Sequence, residues 1–115
     1  MSTQINKTYQ PVQSISMTAN EDLPGFRFVS HLGTLCNDAT RAVGVTETNW
    51  VSGELSQVVT LGTIAIETST TINIGDDVTS SASGKAKTAS GSNPVNGRAL
   101  DSCTGAGFVK IKIVP

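Results

Sequence analysis

Hydrophobic side chains recur at every second position along much of this chain, in runs too short for anything but strands. Between Ser14 and Ala19 the alternation places Ile15 and Met17 on one face. Over Phe26–Leu32 it turns Phe26, Phe28 and Leu32 inward and Arg27 and His31 outward; Gly33 then interrupts, and Leu35 and Cys36 continue. Ala42–Val45 is a further short apolar segment. Glu54–Glu67 is the strongest strand region. Val59, Leu61, Ile64 and Ile66 mark it, and Gly62 either splits it into two strands or bends one through a bulge. Its β-branched run and Gly62 both oppose a helix. Ile72 and Ile74 share a face before the Gly75-Asp76 turn. The last strand sets Val109, Ile111 and Ile113 inward and Lys110 and Lys112 outward.

Between these runs lie turn signals: Asn20–Gly25 around Pro24-Gly25, the Thr46–Gly53 loop with Trp50, and the small polar stretches Ser80–Gly84 and Thr88–Pro94. Short strands with turns at such spacing predict an all-β chain, a small β-barrel or β-sandwich. At most one short helix is expected, near Asn37–Ala42, where Asn37 or Asp38 would cap it. Residues 1–12 are polar and patternless. They read as an extended N-terminal arm ahead of one β domain over residues 13–115, the alternative being a frayed terminus. If the arm lies on a neighbouring subunit, Ile5, Tyr9 and Val12 are its apolar anchors and Pro11 stands near its end.

Composition narrows the partners. The chain has 115 residues and is 37% hydrophobic, too apolar for disorder, yet its aromatics are only Tyr9, Phe26, Phe28, Trp50 and Phe108. A net charge of −1 conceals an asymmetry: residues 1–83 sum to −5 and residues 84–115 to +4. The bland account is solvated strand faces. The sharper one is complementary patches, with Lys85, Lys87, Lys110 and Lys112 meeting another subunit or an acidic partner. An isoelectric point near 5.7 gives no support for a nucleic-acid partner. No apolar run approaches the ~20 residues of a membrane span, so no membrane partner is expected. The N-terminus lacks a signal-peptide core, which implies synthesis in a cytoplasm. Cys36 and Cys103 are then expected to be buried free thiols, with a late disulfide as the alternative.

Candidate chemistry is thin. His31, Cys36 and Asp38 can be tested as a thiol-nucleophile set, but no local signature surrounds Cys36. Asp76-Asp77 lacks the further carboxylates of a calcium loop and reads as a turn. Gly84-Lys85 and Gly105–Gly107 do not match a phosphate loop and read as hairpin corners. A structural zinc site would need about four ligands, which two distant cysteines do not supply. No enzyme, cofactor or small-molecule substrate is expected. Trp50, beside Asn49, is either a partly buried loop residue, an interface anchor or a sugar-stacking platform.

One ordered set of motifs goes further. Ile74-Gly75-Asp76-Asp77-Val78, then Gly84-Lys85-Ala86-Lys87, then Asn96-Gly97-Arg98-Ala99-Leu100, then Gly107–Ile113 follow one another in the last third. This order resembles the capsid cement, or head decoration, proteins of tailed bacteriophages. Phe28–Leu35, Ala42–Thr46 and Val59–Ile64 agree with it more weakly, and the polar arm and the Trp50 loop depart from it. The resemblance implies a small β-barrel or β-sandwich on the outer surface of the virion capsid. It implies homotrimers at three-fold and quasi-three-fold positions, bound to the major capsid protein after the head expands, holding the shell against the pressure of packed DNA. A different class of reading is a virion-surface adhesin or head-fibre base that binds host glycans through the Trp50 loop.

Overall fold

A computed structural model describes residues 8–114. Eight strands follow in chain order: β1 (Pro11–Thr18), β2 (Phe28–Val29), β3 (Gly44–Thr46), β4 (Leu55–Thr68), β5 (Asp77–Ser80), β6 (Ala86–Thr88), β7 (Gly97–Ala99) and β8 (Gly107–Ile113). Five of them close into a ring, β4–β6–β5–β7–β8 and back to β4. Its pairings are antiparallel except β4–β6, a parallel contact at Thr68 and Ala86. The architecture is therefore all-β, built on a small barrel.

β4 is long enough to serve two sheets. Its first half lies between β1 and β3, and its second half pairs with β8 over Thr63–Thr68. Gly62 sits at the change-over with φ +107°, where the β1 register also slips, so the strand is bent and not split. In the first half two successive valines turn to opposite sides and both are buried, although Leu55, Gln57 and Leu61 are exposed: Val58 packs with Ala19, Leu23 and Val29, whereas Val59 joins the barrel core of Phe28, Val45, Ile64, Ile66, Val109 and Ile111. In β8, Val109, Ile111 and Ile113 are buried and alternate with Lys110 and Lys112, as the period of two requires.

A clamp holds the two halves together. The Phe26 N–H donates to the Thr46 carbonyl and the Phe26 carbonyl accepts from Glu67 N–H. Phe26 has φ 60°, a costly value for a bulky residue. Edge-on contacts compensate, with Tyr9 on one side and Phe108 on the other, each with centroids 6.0 Å away.

Three sequence expectations need correction. No helix forms at 37–42, where Asp38-Ala39 is a turn; the one helical turn among the described residues is a 3-10 turn at Ala82–Gly84. The cause is competition for the backbone. Ser80 Oγ donates to the Asn37 carbonyl and accepts from Thr40 N–H, and Asn96 takes the Ala42 N–H and the Thr40 carbonyl. Leu32, expected inward, is 75% exposed because the Ser30–Gly33 turn throws it outward, while its neighbour Val29 is buried. Ile74 does not share the buried face of Ile72: an Asn73–Asp76 turn leaves it 69% exposed.

Candidate contact surfaces

Of the residues expected to make contacts, Ile5 lies outside the described residues. Tyr9 is half-buried on Phe26, and its phenol is raised above its usual value by burial, then by the negative charge and hydrogen bond of Glu47. Just after it, Gln10 is seated on β4: its N–H donates to Thr63 Oγ1 and its carbonyl accepts from Thr63 N–H. Pro11 and Val12 open β1. This strand pairs with β4 alone, leaving its other edge open among the described residues. Seven of its eight positions are exposed, Val12 at 70%, and from Thr8 to Asn20 the chain carries no charge. Edge strands are usually blunted by charge, by bulges or by a cover. Here only Pro11 and the bulge near Val12–Gln13 interrupt the edge.

The basic residues divide into two groups. Lys85 lies 3.6 Å from Glu67, which Arg27 also holds at 3.0 Å, and Lys87 lies 2.7 Å from Asp38. Much of the charge asymmetry along the sequence is thus answered inside the fold. Lys110 and Lys112 have no ion pair among the described residues and point outward from β8. Lys110 and Tyr9 meet at a cavity of about 290 Å³ that Thr8, Gln10 and Thr63 complete.

Trp50 is fixed by its backbone, which exchanges both hydrogen bonds with Leu23 at 2.8 Å. Its ring backs the Leu23, Val29 and Val58 cluster, and its indole N–H is buried with no acceptor among the described residues. Leu23, Pro24, Asp22, Asn49 and Val51 join it around an open groove of about 300 Å³. Val51, on its rim, is 60% exposed. The sequence singled out Trp50 but not these neighbours, because nothing local marks Leu23 and Pro24 as its partners across 27 residues.

The residues considered for chemistry are occupied otherwise. Burial pushes the Cys36 thiol up to about 11, so at neutral pH it is protonated and a poor nucleophile. Cys36 and Cys103 are both free, the first buried and the second half-buried. Asp76 Oδ2 accepts from Asn73 N–H and Thr88 Oγ1, and Asp77 pairs with Arg98. The amides of Gly105 and Gly107 donate to Thr71 and Thr68 hydroxyls, leaving no cradle of free N–H groups for a phosphate.

What this surface serves is decided by comparison with known families. The family model of the phage cement proteins matches residues 7–113. The chain belongs to that family. It is a capsid decoration protein, a structural component of the phage head. Among solved structures, this cement protein is similar to the N base of the head fibre protein gp8.5 of bacteriophage phi29. The two share 20% identity with a TM-score of 0.74, over 89% of this chain and 93% of that one, a likeness of fold. No curated protein matches the sequence.

Proposed function

We propose that the cement protein binds the outer surface of the expanded head as a homotrimer at three-fold and quasi-three-fold positions, against the major capsid protein, and resists separation of capsomers under DNA pressure. The role is mechanical, and no reaction is involved. The observation that carries this reading is β1: an uncharged, exposed strand edge on a rigid barrel is a ready template for an extended segment of the shell. Val12 stands exposed on that edge, and Ile5, in the arm ahead of it, would add an apolar anchor. Three joined copies would gain from multivalency, so each contact can be modest.

Expanded, undecorated heads mixed with purified protein provide the test, read by electron cryo-microscopy. Density at three-fold positions, together with added heat resistance of the heads, is expected. A chain lacking residues 1–7 keeps Tyr9 and β1 and is expected to show lower occupancy. Absence of bound density with the full chain refutes the proposal.

A second reading, a head-fibre base or adhesin, draws support from the likeness to the phi29 head-fibre base. Glycan binding lost in Trp50→Ala, with capsid occupancy unchanged, would favour it.

A further inference from the structure

The cement protein is electrically two-ended. Glu21 adjoins Asp22 in the chain, Asp22 lines the Trp50 groove, and Glu54 bonds the N–H of the groove's rim residue Val51. Each spends one oxygen on a backbone N–H, from Leu35 at 2.7 Å, Ser52 at 3.0 Å and Val51 at 2.7 Å, and none has a cation partner among the described residues. Residues 19–25 and 47–54 contain no Lys, Arg or His. This end combines a groove of about 300 Å³, the exposed aliphatic side chain of Val51 and carboxylates without a cation partner among the described residues.

The complement lies on the barrel wall. Arg98 stands opposite Lys112, and the Leu100 N–H bonds the Lys110 carbonyl, so these four side chains share one outward face of β7 and β8. Leu100 is 38% exposed and rises beside two lysines that have no ion pair among the described residues; Arg98 is held by Asp77, and Asp101 Oδ1 accepts from the Lys110 N–H. One molecule cannot join its own two ends. Glu54 precedes β4, whereas Lys112 and Lys110 lie against Thr63 and Ala65, some nine to eleven residues further along the same strand. That is at most about 30 to 36 Å of extended chain at ~3.3 Å per residue, comparable with the molecule's longest extent of 35 Å.

We propose that a second copy supplies the match: Leu100 of one subunit enters the Trp50 groove of the next, and Lys110 and Lys112 meet Glu21, Asp22 and Glu54. This names the subunit contact of the trimer proposed above and rests on that reading. The apolar centre would hold the contact, and the charged rim would set its register and steer encounter. Because the two patches differ, the contact is heterologous, and a ring closes it.

Sedimentation equilibrium tests this with two variants, Lys110→Glu/Lys112→Glu and Val51→Asp, each checked for folding by its thermal transition. Trimers are expected for the wild type, weakening about tenfold or more as salt rises from about 50 to about 500 mM, since exposed charges are then screened within a few ångströms. Each variant alone is expected to be monomeric. Mixed together they have one good groove and one good lysine face between them, and should form one-to-one dimers and nothing larger. If both variants still form wild-type trimers, this interface is overturned while the trimer stands. If the wild type is monomeric at every concentration, both fall.

Discussion

Replacing Gly62 by alanine tests how β1, the exposed edge, is held. At φ +107° an L-residue sits outside its comfortable basins, a strain of about 1–3 kcal/mol. A methyl there would also stand 2.6 Å from both the Gln10 carbonyl oxygen and the Val12 nitrogen, backbone atoms that have no rotamer to swing away. Relief requires lifting residues 10–12 from β4, which breaks the 3.1 Å Thr63-to-Gln10 bond and the 2.8 Å Gln10-to-Thr63 bond. At about 1 kcal/mol each, the total for Gly62→Ala becomes about 3–5 kcal/mol. Gly53→Ala is the control: its φ is +94°, but nothing lies within 4 Å of the added carbon, so only strain remains. Urea melts should place Gly62→Ala about 2 kcal/mol below the control, roughly 8 °C in melting temperature. Hydrogen exchange at the Thr63 amide should accelerate in Gly62→Ala only. Equal losses in the two variants would show that β1 does not depend on the glycine and would refute the reasoning.

Three more outcomes follow from the same contacts. Phe26→Ala removes the ring between Tyr9 and Phe108 and should cost about 3–5 kcal/mol in a denaturant melt, with Tyr9 becoming more accessible to solvent. Ser80→Ala strips the Asn37 and Thr40 backbone groups of their partner and should cost about 1–3 kcal/mol, with faster exchange at the Thr40 amide. The Cys36 thiol is raised from 9.0 to about 11, so its neutral form is the folded one. Its contribution is whole below pH 9 and falls as pH climbs from 9 to about 11, because the unfolded chain releases the proton first. Cys36→Ala should therefore lose less stability than wild type across that window; parallel profiles would refute the assignment.

The sequence by itself determined what is local. The period of two fixed β8 and the second half of β4, because successive side chains on a strand face opposite sides whatever they later touch. Gly62, Pro24-Gly25 and Gly75-Asp76 marked the bends through backbone freedom, and the ordered glycine motifs of the last third carried the family resemblance. What the tertiary structure decided is what distant groups do to each other. Asn37–Ala42 has helix-capping residues, yet Ser80 and Asn96, about 40 to 56 positions away, take its backbone bonds and leave a turn. Leu32 and Ile74 obey the alternation, yet turns expose them. The charge asymmetry was legible as a sum, but only folding showed that Lys85 and Lys87 are answered by Glu67 and Asp38 while Lys110 and Lys112 remain outward. The contact surface, like the barrel closure at Thr68 and Ala86, is made by segments far apart in the chain, and no local pattern records which of them will meet.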